Sequence, residues 1–153
     1  MTPITEALVV DASVAAKWHL KDEEEADKAL LLLQRFTEGK VELFAPDYIR
    51  YEVSAAITFA SSGRRPRIQP ELAREAIAAF LDLGLNTLNN NQLILESFPL
   101  VYQYNCALYD GLYLALKNRL NLPFITADRK FYQRIRHLPS IIWLGDYSPV
   151  QDN

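Results

Sequence analysis

The sequence holds a single cysteine, Cys106, so no disulfide can form within the chain, as suits a reducing, cytoplasmic setting. No basic stretch precedes its first short apolar run at residues 7–10, and the beginning does not read as a signal peptide. Nor is any run long and apolar enough to span a bilayer. The most apolar segment, residues 97–116, is broken by Pro99, Gln103, Asn105 and Asp110. Positive charge is not in excess either. The net charge is −3, so the chain as a whole is no basic nucleic-acid binder, and a phosphate-rich partner must be met by local patches or by metal. Histidine is scarce: His19 and His137 are the only two, and neither stands beside Ser13 or Cys106 as a base for a nucleophile. Repeats, linkers and low-complexity tracts are missing, which predicts one domain over residues 1–153. A chain of about 150 residues buries roughly 68–70% of its unfolded surface, enough for a full core.

What is present alternates between two periods. Residues 7–10, 41–45, 85–88, 123–126 and 140–144 read as short strands. Residues 13–20, 22–36, 47–60, 70–83, 93–104, 107–118 and 129–136 read as helices, with Gly39 and Gly84 as stops and Pro99 as a disturbance. Apolar strands alternating with helices predict an α/β fold with a mostly parallel sheet.

Four acids stand out against this frame: Asp11, Glu52, Asp110 and Asp128. Between residues 97 and 116, Asp110 is the only carboxylate, and no Lys, Arg or His accompanies it. An ionised carboxylate in an apolar helix costs several kcal/mol unless a positive group meets it, so its partner must come from elsewhere in the fold or from solution. Asp11 follows one strand at once and Asp128 another by one residue, and open parallel sheets bind ligands outside the carboxyl ends of their strands. Carboxylates without His or Cys select Mg²⁺ or Mn²⁺ over zinc, and Mg²⁺ is typically completed by water and substrate phosphates.

The strings VVDASV, YEVSAA, YDGLYLAL and ITADRKF, in this order, resemble the acidic motifs of the PIN-domain nucleases, and among these the VapC-type toxins of bacterial toxin–antitoxin pairs. The resemblance implies a single-domain, three-layer α/β/α sandwich that cleaves RNA with Mg²⁺ or Mn²⁺. It makes Asp11, Glu52, Asp110 and Asp128 the catalytic and metal-site acids and Ser13 and Thr126 their supporting hydroxyls. It further implies a cognate antitoxin and a homodimer as partners. Gly111 departs from the pattern, which often has Ala there, at about 1 kcal/mol of helix propensity.

Singly, Asp11 and Asp128 also suit helix caps, and Glu52 an exposed helix position. Asp146 reads as a surface turn before a fifth ligand, Asp47 as a cap. Lys17, Arg64, Arg65, Arg129 and Lys130 are candidate RNA contacts, with a solvated loop the equal alternative for Arg64 and Arg65. Trp18, Tyr48, Tyr51, Tyr109 and Tyr113 suit either base stacking or packing. Competing readings are a housekeeping PIN nuclease of RNA processing and a non-catalytic metal- or RNA-binding module. A phosphotransferase of the haloacid type would want a second Asp two residues after Asp11, where Ser13 stands.

Overall fold

The sheet forms where the apolar, β-branched runs lie. In a computed structural model that describes Ile4 and residues 6–151, the strands are β1 (Glu6–Val10), β2 (Val41–Pro46), β3 (Asn86–Leu88), β4 (Phe124–Thr126) and β5 (Ile141–Trp143). The first residues of the N-terminal segment and the end of the 148–153 tail lie outside the described residues. All strand pairs are parallel, in the order β3-β2-β1-β4-β5. Leu8, Val9 and Val10 are all buried although successive side chains leave opposite faces, so helices cover the sheet on both sides. This is the α/β sandwich expected.

Strand order positions the site. From β1 the chain moves outward through β2 to β3, then returns to lay β4 on the other side of β1 and adds β5 beyond it. The direction of winding reverses between β1 and β4, where Val9 faces Phe124 and Val10 faces Ile125. A crevice opens outside the carboxyl ends at such a reversal.

Among the described residues, seven helices connect the strands: α1 (Ala12–Ala15), α2 (Ala26–Thr37), α3 (Ile49–Ala60), α4 (Pro70–Asp82), α5 (Asn91–Tyr104), α6 (Leu108–Leu120) and α7 (Arg129–Ile135). A 3-10 turn over Ala16–Trp18 extends α1, and Trp18 donates its indole N–H to the Ala29 carbonyl at 2.9 Å, a core role rather than a stacking one.

Two helices differ from the sequence-based expectation. The helix expected from residue 22 begins only at Ala26, after Glu25 takes a left-handed φ of 64°. Arg67 pulls the acidic run out of the helix: it grips both carboxylate oxygens of Asp22 at 2.8 and 2.9 Å and Glu23 at 2.9 Å. Lys17 adds a bond to the Glu24 carbonyl at 2.7 Å. Conversely, α5 runs unbroken through Pro99, whose ring sits on the exposed side, and Asn90 caps it by accepting from the Leu93 amide at 2.8 Å. The carbonyl that Pro99 leaves unbonded belongs to Leu95, an exposed residue on the solvent side of the helix.

Gly111 has a packing reason. α5 and α6 form a hairpin across a three-residue connection, and a Cβ at Gly111 would stand 3.0 Å from the Ser97 carbonyl oxygen and 3.4 Å from the Ser97 Cβ. Glycine lets the two helices close to that distance. His19 is half-buried. It sits edge-on to Phe80 at 6.0 Å, and its Nε2 is shielded without a hydrogen-bond partner.

Candidate active site

Asp11 ends β1 at the N-cap of α1, with an extended backbone and 6% exposure. Two hydroxyls donate to the same oxygen, Oδ2: Ser13 from the first turn of α1 and Thr126 from the last residue of β4, each at 2.7 Å. With Oδ2 so occupied, Oδ1 is left for a ligand. Ser13 Oγ also accepts from the Ala127 amide at 2.9 Å, and Thr126 Oγ1 from the Asp128 amide at 3.1 Å. The hydroxyls thus tie the ends of β1 and β4 together across the crevice.

Asp128 is the N-cap of α7 and accepts from the Phe131 amide at 3.1 Å through Oδ1, so capping and site membership coexist in one side chain. Glu52, in the first turn of α3, accepts from the phenol of Tyr113 at 2.7 Å. Asp110, in the first turn of α6, projects from the face next to Tyr113.

The four acids feel one another. Burial pushes Asp11 up to about 6, against the Thr126 and Ser13 hydrogen bonds, and Asp110 and Asp128 push the same way. Burial pushes Glu52 up to about 7, with Asp11 and Asp110 adding to it and the Tyr113 bond opposing. Asp110 is raised by burial and then by Asp128, with Arg134 partly offsetting. Asp11 and Asp110 both act on Glu52, and Asp128 acts on both Asp11 and Asp110. Arg134 supplies the distant cation that the apolar surroundings of Asp110 demanded, but it donates to the Asn105 carbonyl at 2.6 Å and forms no ion pair with the acid.

These donors suit a hard divalent cation. All are oxygens, and the upward shifts of Asp11, Glu52 and Asp110 mark charge that a cation would relieve. Among the described residues no three of His, Cys, Asp and Glu converge tightly enough to clamp one ion.

The basic candidates divide. Arg129, next to Asp128, stands over the Trp143 indole with its guanidinium carbon 5.2 Å from the ring centre, and Tyr132 packs on the same indole at 5.3 Å. Lys130 is exposed beside it. Lys17 is held by Glu23 at 3.5 Å and by the Glu24 carbonyl, with its side chain 12% exposed. Arg64 and Arg65 are exposed but lie past the far end of α3. Eight residues separate Glu52 from Ala60, about 12 Å of helix, so the fold does not bring them to the acids.

Tyr48 and Tyr109 stack on each other at 4.1 Å and 8° next to Glu52, and Tyr51 stands exposed beside them. Asp47 does not cap α3 through its side chain, which pairs with Arg50 at 3.5 Å. Asp146 is exposed and lines a cleft with Glu6 and Pro123 at the amino ends of β1 and β4, away from the site. Two residues escaped the sequence-based reading of the site: Tyr113 as the partner of Glu52, and Trp143 as the platform under Arg129. For Tyr113 the available signal was a phenol in an apolar helix, since a buried tyrosine hydroxyl usually finds an acceptor.

No curated protein matches the chain. Among solved structures, a chain of a toxin–antitoxin complex from Klebsiella pneumoniae has the same fold, with a TM-score of 0.57 and 18% identity over 93% of this chain and 99% of that one. The PIN domain model matches residues 8–136, a span that holds all four acids. The chain therefore belongs to the PIN domain family, whose members are in general nucleases.

Proposed function

We propose that this protein is a Mg²⁺- or Mn²⁺-dependent endoribonuclease, the toxin of a VapC-type pair, held in check in the cytoplasm by a cognate antitoxin and acting as a homodimer. The observation that carries the reading is the set of acids at the β1–β4 crevice, Asp11, Glu52, Asp110 and Asp128, which act on one another electrostatically and offer oxygen donors only. The solved structure of similar fold is titled a toxin–antitoxin complex, which supports the choice among nuclease roles.

Asp11, Glu52, Asp110 and Asp128 would hold the cation. When bound, it supplies Lewis acidity, lowering the pKa of an attacking water and neutralising charge on the scissile phosphate. The chain's own groups prepare that setting. Ser13 and Thr126 orient Asp11 by occupying Oδ2. Ionised carboxylates repel an anionic phosphate, so Arg129 and Lys130 at the rim provide the attraction that steers RNA toward them. Arg129 is pre-ordered by Trp143, which lowers the entropy lost on gripping a phosphate. The stacked Tyr48–Tyr109 pair, with Tyr109 exposed, offers a ring face to an unpaired base on the Glu52 side. A protein partner is supported by α5, whose outer face carries Ile94, Leu95, Phe98 and Tyr102 exposed without a charge among them.

The test is cleavage of total cellular RNA by the purified protein with Mg²⁺ or Mn²⁺, paired with growth arrest on induction. Asp11→Asn and Asp110→Asn should each lower cleavage at least 100-fold and abolish arrest while the thermal transition persists. Cleavage retained in both variants would overturn the reading. Metal binding without turnover in the native protein would point instead to a non-catalytic module.

A further inference from the structure

The three acids with a hydrogen-bonded carboxylate are held in different ways. Asp11 is fixed by two hydroxyls and Asp128 by a backbone amide. Glu52 has the longest side chain and the most rotamers to lose, and its bond comes from one group alone, the Tyr113 hydroxyl at 2.7 Å. That hydroxyl is itself rigidly placed. Tyr113 is 1% exposed, lies on α6 one turn after Asp110, and packs its ring against Phe124 of β4 at 5.7 Å. A phenol with two torsions clamped in the core delivers its oxygen to one point, and here the point is on Glu52 Oε1, leaving Oε2 open.

We propose that Tyr113 is a positioning residue of the metal site: its buried hydroxyl fixes the Glu52 carboxylate so that Oε2 faces the cation or a water of its shell. The proposal rests on the metal-site reading above. It makes one side chain the link between three acids, since Tyr113 shares its helix with Asp110, ends on Glu52 and lies within electrostatic reach of Asp11. Tyr113→Phe keeps the ring packing and removes only the hydroxyl.

Mn²⁺ titration by calorimetry, on the full chain without RNA, tests it. Tyr113→Phe should weaken Mn²⁺ affinity about tenfold, in the range that outer-shell partners of metal ligands typically govern. In a Glu52→Gln background the same change should alter affinity less than twofold, because nothing remains to be positioned. A wild-type protein that binds Mn²⁺ and a Tyr113→Phe variant that binds equally well would overturn the proposal alone. So would a loss of the same size with and without Glu52, which would mark a general packing defect. A wild-type protein that binds no Mn²⁺ would overturn the metal-site reading and this proposal with it. A second measurement does not require that Tyr113→Phe fold. With 3-fluorotyrosine at position 113, the fluorine resonance should shift on Mg²⁺ addition, and the shift should vanish with Glu52→Gln. An unmoved resonance in a protein that binds Mg²⁺ overturns the proposal.

Discussion

Gly111 lies so close to Ser97 that a methyl group in place of its hydrogen would meet the Ser97 carbonyl oxygen at 3.0 Å. Helix propensity favours alanine at this position by about 1 kcal/mol, while forcing two packed helices apart typically costs about 1–3 kcal/mol. The contact is with backbone, which cannot swing aside, so packing wins. Gly111→Ala is expected to destabilise the protein by about 1 kcal/mol net, read as a lowered urea midpoint with an unchanged slope. Since Asp110 precedes Gly111 directly, cleavage should fall as well.

Thr126→Val keeps the shape of the side chain and removes both the donor to Asp11 Oδ2 and the acceptor for the Asp128 amide. The buried Asp11 carboxylate then depends on Ser13 alone. Stability should drop by about 1–3 kcal/mol and Mn²⁺ affinity by about 10–100-fold. Thr126→Ser, which keeps the hydroxyl, should recover most of both in the same two assays.

With metal chelated, stability should depend on pH in an uncommon direction. Asp11 and Glu52 have ordinary values of 3.8 and 4.5 and rise to about 6 and about 7 in the fold. Between each pair of values the native state holds a proton that the unfolded chain has released. Stability therefore falls as pH rises from about 4 to about 7 and levels off above that. The combined effect is roughly 2–4 kcal/mol, allowing for the partial exposure of Glu52. Urea midpoints at pH 5 and pH 8 in a chelator should differ in that sense, and excess Mg²⁺ at pH 8 should raise the lower one.

Away from the site, Arg35 of α2 donates from Nε to Glu6 of β1 at 3.2 Å, with both side chains under a tenth exposed. Glu6 also accepts from the Tyr147 phenol at 3.1 Å, so this pair fastens the C-terminal tail to the first strand. Arg35→Met strands a buried carboxylate and should cost about 3–5 kcal/mol. Adding Glu6→Gln should return more than half of it, as calorimetric unfolding would register.

Much of this was legible in the residues, for reasons that differ by element. β1 and β4 show as apolar runs because a strand buried on both faces needs no alternation, and the acids just past them fall at the carboxyl edge by topology alone. Helix α2 was misplaced because acidic residues at 23–25 imitate a favourable first turn. Only the fold reveals that Arg67, more than forty positions away, holds Asp22 and Glu23 outside the helix. Arg67 follows Arg64 and Arg65 closely in sequence, yet it neutralises an acidic loop while those two are exposed past the far end of α3. Pro99 was read as a break because sequence does not tell which side of a helix faces water. Tyr113 and Trp143 were missed because what each supports lies on another element.

The order of the strands also bears on how the protein is born. Asp11 emerges early from the ribosome, but the Thr126 hydroxyl that orients it lies 115 positions later and Asp128 later still. Chains are made at about 5–20 residues per second, so a nascent copy spends several seconds or more with its first acid exposed and its last ones not yet synthesised. During that interval, and in any truncated product ending before residue 126, the crevice has only one wall. The set of four acids is therefore complete only after nearly the whole chain has been translated.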